Sequence, residues 1–231
     1  MKVIAVLGRK GGTGKTMVSH LISHGMSMLD YVSASIMLQT DVRTHRPAEI
    51  VEGRNYMLAS VRNDGTEKEM MMKIFEFAGK IDNSVLVVDG GANRRSVDLF
   101  YTKLADIILI PTGYGHEDLA TADADYYELS DKLKEENSEA GVFIIPNRWP
   151  GLQRKREQIE SKHWVREYMT KFSREGSLFP YYVPDIPSML EIAHGETPRS
   201  TPLIDSRSRS IATLIAKKIG MDVTQAHAAA A

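Results

Sequence analysis

A glycine-rich turn between an apolar run and a helical segment constrains this chain of 231 residues more than any other feature. The apolar run spans residues 3–7, the turn spans residues 10–16 with the sequence KGGTGKT, and the helical segment spans residues 15–29. Glycines at a strand-to-helix junction let backbone N–H groups converge on a phosphate, and the helix N-terminus adds partial positive charge. The sequence therefore predicts a phosphate-binding loop. The simpler alternative is a turn that only reverses the chain.

Two side chains at the end of the turn match the chemistry of a P-loop. Lys15 would reach the β- and γ-phosphates of a nucleotide, and the hydroxyl of Thr16 would bind Mg²⁺. The strict pattern has a glycine five positions before Gly14, where this chain has Arg9. The motif is therefore a deviant P-loop.

Short apolar runs and longer helical segments alternate along the rest of the chain. Further strands are predicted at residues 34–38, 85–88, 107–110 and 142–145, and helices at residues 67–80, 118–133 and 154–172. Consecutive apolar positions are typical of strands that helices cover on both faces. We predict an α/β fold with a doubly wound, mainly parallel sheet and helices on both faces. One domain is expected over residues 1–220, followed by a flexible tail over residues 221–231.

The composition excludes several classes of site. The chain has 29 Lys and Arg against 30 Asp and Glu, a formal net charge of −1, and it has no cysteine. Disulfide scaffolds, Cys-ligated metals and thiol nucleophiles are therefore excluded. No apolar run approaches the roughly 18 residues that a membrane-spanning helix needs, so a cytoplasmic protein is expected.

Lys10 has no role in an ordinary P-loop, but it completes the signature KGGxGKT. This signature resembles that of the ParA/MinD group of deviant Walker A ATPases, most closely the small ParF-like ParA plasmid partition proteins. The resemblance covers residues 1 to about 220 and implies ATP and Mg²⁺ as cofactors. It also implies an ATP-bound homodimer in which Lys10 reaches the nucleotide of the other subunit. The implied nucleotide-binding residues of the loop are Lys10, Gly11, Gly12, Thr13, Gly14, Lys15, Thr16 and Met17.

Two carboxylates at the ends of predicted strands complete the implied site. By resemblance, Asp41 would orient the attacking water and contribute to the Mg²⁺ site, and Asp89, at the end of residues 84–89, would hold Mg²⁺ as a Walker B residue. The alternative for each is an aspartate that only turns the chain after a strand. Gln39 replaces the family's first aspartate and Met17 replaces its second threonine, so slow hydrolysis is expected.

The family resemblance also implies that residues of the C-terminal half contact adenine. Relatives often place an asparagine against the adenine edge, which Asn147 matches, and the backbone near Pro184 would line the base. An asparagine amide can pair with a donor and an acceptor of adenine. The alternative for Asn147 is a residue of a loop turn.

Clustered basic residues are candidates for binding DNA phosphates without reading sequence. By resemblance, the ATP dimer would bind non-specific nucleoid DNA, and a ParB- or ParG-like partner would stimulate hydrolysis. The alternative is an ordinary solvated face. The candidate residues are Arg154, Lys155, Arg156, Arg207, Arg209, Lys217 and Lys218.

Three other functions remain open from the sequence. The same ATPase could position another cargo or assist conjugation. A MinD-like membrane switch needs a basic amphipathic C-terminal helix, and residues 203–219 have some amphipathic character. A metabolic P-loop enzyme shares the loop but needs a small-substrate pocket, and Lys10 argues against it.

Overall fold

The computed structural model describes residues 1–42, 46–62, 66–91, 100–197 and 199–221, without the side chains of residues 41, 42 and 46–48. The chain divides into two compact units. The first unit comprises Met1–Ile4, Ser19–Asp89 and Pro187–Ala231, as far as these are described, and the second comprises Ala5–Val18 and Gly90–Ile186. Of the predicted tail, residues 222–231 lie outside the described residues.

Strands and helices alternate along the chain, as the sequence predicts. The strands are β1 (Lys2–Val6), β2 (Ala34–Val42), β3 (Arg46–Glu49), β4 (Met57–Arg62), β5 (Ser84–Asp89), β6 (Ile107–Thr112), β7 (Gly141–Trp149) and β8 (Val183–Pro184). The helices are α1 (Lys15–Met26), α2 (Glu67–Gly79), α3 (His116–Glu135), α4 (Gln153–Glu160), α5 (His163–Glu175), α6 (Met189–Ala193) and α7 (Thr201–Lys218).

In the first unit the strands lie in the order β3-β4-β2-β5, and β5 is followed by β1. Strand β2 is parallel to both of its neighbours, with Ile36 opposite Met57 of β4 and Leu86 of β5. Strand β3 is antiparallel to β4 and lies at the edge. It was not predicted, because its sequence RPAE has no apolar run and contains Pro47, a residue that sheets tolerate mainly at edges.

In the second unit the strand order is β1-β6-β7-β8. The N–H of Leu7, just after β1, donates to the carbonyl of Leu109 at 2.9 Å. Strands β6 and β7 are parallel, and β7 is parallel to β8. Every residue of β5 and of β6 is buried, which explains the apolar runs at residues 85–88 and 107–110. The strand order confirms the predicted doubly wound, mainly parallel α/β fold.

The helix predicted over residues 154–172 is wrong, because two helices occupy this segment. Helix α4 ends at Glu160, Lys162 is extended, and α5 begins at His163. The buried residues of α5 are Val165, Met169 and Phe172, whereas α4 buries none. An apolar stripe that starts only at Val165 anchors the second helix alone, and no glycine or proline marked the break.

Helix α7 accounts for the amphipathic character of residues 203–219. Its apolar face is buried in the first unit and comprises Ile204, Ile211, Ala212, Ile215 and Ala216. Gly25 of α1 packs against α7 so closely that a Cβ there would lie 2.0 Å from the carbonyl oxygen of Ser208. No described helix is long and apolar enough to cross a membrane.

Arg54 is a buried cation that ties the loop before β4 to the end of α6. It is only 4% exposed, and its guanidinium donates to the carbonyls of Tyr56 at 3.0 Å, Ala193 at 3.1 Å and Glu49 at 2.9 Å. Burial lowers the pKa of Arg54 from its usual value. The three carbonyls would lose their partner if this side chain were removed.

We therefore predict that Arg54→Met lowers the free energy of unfolding by about 3 kcal/mol, because it leaves buried carbonyls without donors. Urea unfolding followed by circular dichroism measures the change. Arg154→Met, at an exposed position of α4, is the control and should change stability by less than about 0.5 kcal/mol. Equal unfolding midpoints for the two variants would contradict the assignment.

Candidate functional site

The glycine loop lies in the second unit, between the end of β1 and the first residue of α1. Lys15 is 7% exposed, and its Nζ donates to the carbonyl of Lys10 at 2.9 Å. Gly12 and Gly14 have φ of 77° and 85°, which other residues rarely adopt. The first N–H groups of a helix have no acceptors within that helix, so α1 adds positive potential beside the buried ammonium. The loop is thus built to attract an anion.

The end of β7 holds the loop from one side. Asn147 is fully buried, and its Nδ2 donates to the carbonyl of Thr13 at 2.6 Å. The next residue, Arg148, donates from its guanidinium to the carbonyl of Gly12 at 2.9 Å. Two consecutive residues of one strand therefore fix two consecutive carbonyls of the loop. The structure brings Asn147 to the loop, as a nucleotide site requires, while its predicted contact with adenine stays a prediction.

The start of α3 supplies acidic partners for Lys10. The Nζ of Lys10 lies 2.6 Å from Asp118 Oδ1 and 3.8 Å from Glu117 Oε2. The hydrogen bond to Asp118, with the attraction of both carboxylates, raises the pKa of Lys10. The lysine that distinguishes this loop from an ordinary P-loop is therefore engaged within its own chain.

The third turn of α3 holds Arg9. Asp125 is buried and accepts hydrogen bonds from both the backbone N–H of Arg9, at 2.9 Å, and its Nε. Arg9 also lies 3.1 Å from Glu128. The hydrogen bond to Asp125 raises the pKa of Arg9. Sequence reasoning missed these acids, although the spacing of Asp118, Asp125 and Glu128 places them on one face of a helix.

Three aromatic side chains cluster at the end of β7. Pro184 of β8 pairs with Trp149, and the Trp149 ring packs edge-on against Tyr182 and Tyr114, with centroids 5.2 and 6.0 Å away. Burial raises the pKa of Tyr182 to about 12. The structure places Pro184 one pair from Asn147, and its predicted role beside the base stays a prediction.

Two buried polar atoms at this strand end have no hydrogen-bond partner among the described residues. They are Oδ1 of Asn147, an acceptor, and Nε1 of Trp149, a donor. A buried polar atom without a partner costs free energy, and a ligand that supplies a complementary group removes the cost. An amino group such as that of adenine matches the acceptor of Asn147. The loop and this strand end therefore fit a nucleotide.

The predicted carboxylates belong to the first unit. Asp89 is buried at the end of β5, where Ser19 Oγ donates to its Oδ1 at 3.4 Å and Thr40 Oγ1 donates to its carbonyl at 2.9 Å. The backbone of Asp41 belongs to β2, and its side chain lies outside the described part of the chain. The assignments of Asp89 and Asp41 stay predictions.

In the second unit Thr16 is exposed, while Met17 is 8% exposed in the first turn of α1.

The predicted DNA-binding residues are divided between the units. In the second unit Arg154 and Lys155 are exposed on α4, and the Arg156 guanidinium stacks over the Tyr182 ring at 5.4 Å. On α7 of the first unit Arg209, Lys217 and Lys218 are exposed, and Arg207 is half-buried. Helix α5 adds a basic surface that the sequence reasoning missed. Residues of this surface line an open depression of about 430 Å³, and they are His163, Arg166, Glu167, Thr170, Lys171 and Arg174.

Comparison with solved structures identifies the fold. A single-residue variant of McdA of Cyanothece in complex with ATP aligns with a TM-score of 0.62 at 14% identity, over 96% of this chain and 97% of McdA. The cell division ATPase MinD of Pyrococcus furiosus gives 0.63 at 13% identity, over 94% and 98%. This chain has the fold of MinD and McdA. A candidate plasmid partition protein of Borrelia burgdorferi B31 bound to AMPPNP gives 0.56 at 13% identity, over 94% and 99%. No protein-family model matches the chain, and no curated protein matches its sequence.

The tight contact between the loop and β7 leaves no space for a side chain at Gly14, whereas Gly11 of the same loop has open space around it. A Cβ on Gly14, at φ of 85°, would lie 2.3 Å from Asn147 Nδ2, whereas a Cβ on Gly11 would meet nothing within 4 Å. We predict that Gly14→Ala lowers the free energy of unfolding by about 2 to 4 kcal/mol through backbone strain and overlap. Gly11→Ala should change it by less than about 1 kcal/mol. Thermal unfolding of the pair measures the difference, and equal losses would refute the contact.

Proposed function

We propose that this protein is an ATP-dependent dimerising switch of the ParA type that binds non-specific DNA and serves DNA partition. The observation that carries the proposal is the ordered KGGTGKT loop, in which Lys15 is buried and two side chains of β7 fix the carbonyls. The structural neighbours solved with ATP or AMPPNP share this fold and support the choice of nucleotide. Mg²⁺ is the metal proposed with it.

Different residues of the site are proposed to bind the phosphates, the metal and the base. Backbone amides of residues 11–16 and the Lys15 ammonium would hold the phosphates, and the exposed Thr16 hydroxyl would bind Mg²⁺. Asn147 would hold the base. When bound, Mg²⁺ offsets the charge of the phosphates and supports attack by water on the γ-phosphate. The proposed reaction converts ATP and water to ADP and phosphate, slowly without a partner.

Lys10 provides the proposed link between nucleotide and dimer. In the described chain its ammonium contacts Asp118, and both side chains are about one-third exposed, 32% and 30%. An exposed ion pair is weak because solvent screens it, so a triphosphate of a second subunit can replace the carboxylate. ATP would thus favour the dimer, and hydrolysis would release it.

DNA is the proposed partner of the basic surfaces on α4 and α5. Arg154 and Lys155 are exposed on one helix, and Arg166 and Arg174 are exposed on the next. Two copies of such a surface in one dimer bind DNA far more tightly than one. A centromere-binding adaptor of the ParB or ParG kind is the proposed stimulating partner, and the nucleoid in the cytoplasm is the proposed location.

We predict that ATP, but not ADP, shifts the wild-type protein to a dimer in gel filtration. Lys15→Ala should weaken ATP binding at least tenfold and abolish the dimer, because the buried ammonium no longer faces the phosphates. Lys10→Ala should still bind ATP but remain a monomer. Lys134→Ala, which removes a lysine that is 77% exposed at the end of α3, should behave as wild type. A wild-type protein whose size does not depend on the nucleotide would disprove the switch.

DNA binding tests the basic surface separately. We predict that the double change Arg154→Gln and Lys155→Gln weakens binding to duplexes of any sequence and makes the salt dependence shallower by about 2 for each subunit. The matched control is the double change Lys132→Gln and Lys134→Gln on α3, because these two lysines are already paired with carboxylates. Fluorescence anisotropy at several salt concentrations measures both effects. The same salt slope in both double variants would exclude α4 from the DNA interface.

A further inference from the structure

Arg148 has a backbone conformation that arginine rarely adopts. Its φ is 60°, and the other described residues besides glycine with positive φ are Asn83 and Asn137. Asparagine tolerates this left-handed region, whereas arginine gains nothing from it locally. Strain of this kind persists where the surrounding structure requires it, and it concentrates at functional sites. Arg148 is also exposed, so packing of its side chain does not explain its conformation.

The conformation of Arg148 changes which way its side chain points. In a regular strand, consecutive side chains point to opposite faces, so Asn147 and Arg148 would diverge. The left-handed residue interrupts this alternation, and the pairing of β7 with β8 shifts register between Asn147 and Trp149. As a result both side chains reach the same loop, Asn147 at Thr13 and Arg148 at Gly12. The strained backbone is the means by which two adjacent residues act together.

These two hydrogen bonds orient the amides of the loop. In a trans peptide the carbonyl and the N–H of the next residue point in opposite directions. The carbonyls of Gly12 and Thr13 are held towards β7, so the N–H groups of Thr13 and Gly14 point away from it. The Arg148 guanidinium also lies along the loop, with Nε 3.7 Å from the position of a Cβ on Gly14.

We propose that Arg148 is a positioning residue that fixes the Gly12 peptide and so preorganises the loop amides for a nucleotide polyphosphate. The inference rests on the proposed function for its ligand, but the ordering of the loop is a property of the free protein. A glycine-rich loop loses much conformational freedom on binding, and ordering it in advance strengthens binding. Arginine suits this role because its planar group carries several donors in fixed directions.

Calorimetric titration of the full chain with Mg-ATP tests the consequence for binding. Arg148→Gly removes the donor and relieves the strain, so we expect about tenfold weaker binding with no loss of unfolding free energy. Arg148→Lys keeps one donor and should fall between Arg148→Gly and wild type. Asn137→Gly relieves positive φ at a residue remote from the loop, and Lys134→Gln removes a positive charge. Both controls should bind as wild type.

Hydrogen exchange of the nucleotide-free protein tests the ordering itself. At exchange times of seconds, the peptide that contains residues 11–16 should exchange faster in Arg148→Gly than in wild type, and other peptides should not change. Wild-type affinity in Arg148→Gly would overturn the proposal. Weaker binding with unchanged exchange would also overturn it, because Arg148 would then act through charge alone. If the wild type binds no nucleotide, the proposed function fails, while unchanged or faster exchange still decides the role of Arg148.

Discussion

Hydrogen bonds from side chains to the carbonyls of the glycine loop are the constraint on which the site depends. The carbonyl of Lys10 accepts from Lys15, that of Gly12 from Arg148 and that of Thr13 from Asn147. Glycine-rich backbone is free to adopt many conformations, so the loop sequence alone does not fix the direction of its amides. Donors from α1 and β7 supply that direction. The orientation of the loop amides is therefore fixed in part by residues that are distant in the sequence.

Two of the ion pairs beside the loop differ in the burial of their carboxylates. Asp125 has a side chain that is 5% exposed and binds Arg9 through two donors, whereas Asp118 is 30% exposed where it meets Lys10. Ion pairs near the surface are weak, and the Arg9 side chain is itself 43% exposed, but a buried carboxylate such as that of Asp125 is costly to leave without donors. Arg9 therefore serves the structure of the loop. The greater exposure of Asp118 is consistent with the proposed exchange of this carboxylate for a phosphate at Lys10.

The parts of the fold and site that are local in the sequence were predictable. The loop is a contiguous motif, and β5 and β6 each contain a run of four apolar residues, so each pattern carries its own signal. The partners of the loop are not local, because Arg148 lies 136 residues from Gly12 and only the strand order of the second unit brings them together. Asn147 was predicted from the family resemblance, and its bond to the loop was not. The break between α4 and α5 has no signal either, because helix propensity continues through residues 154–172 and only burial separates the helices.

The position of the apolar face of α7 bears on the alternative of a helix that binds a membrane surface. A helix that binds a membrane surface must present its apolar face to lipid. The apolar face of α7 is buried in the first unit, and Gly25 of α1 lies against Ser208, so exposing that face would open the core. The exposed cations of α4 need no such rearrangement, because phosphates approach them from solvent. The described fold therefore keeps the apolar face of α7 in the core of the first unit, and DNA stays the proposed partner of the exposed cations.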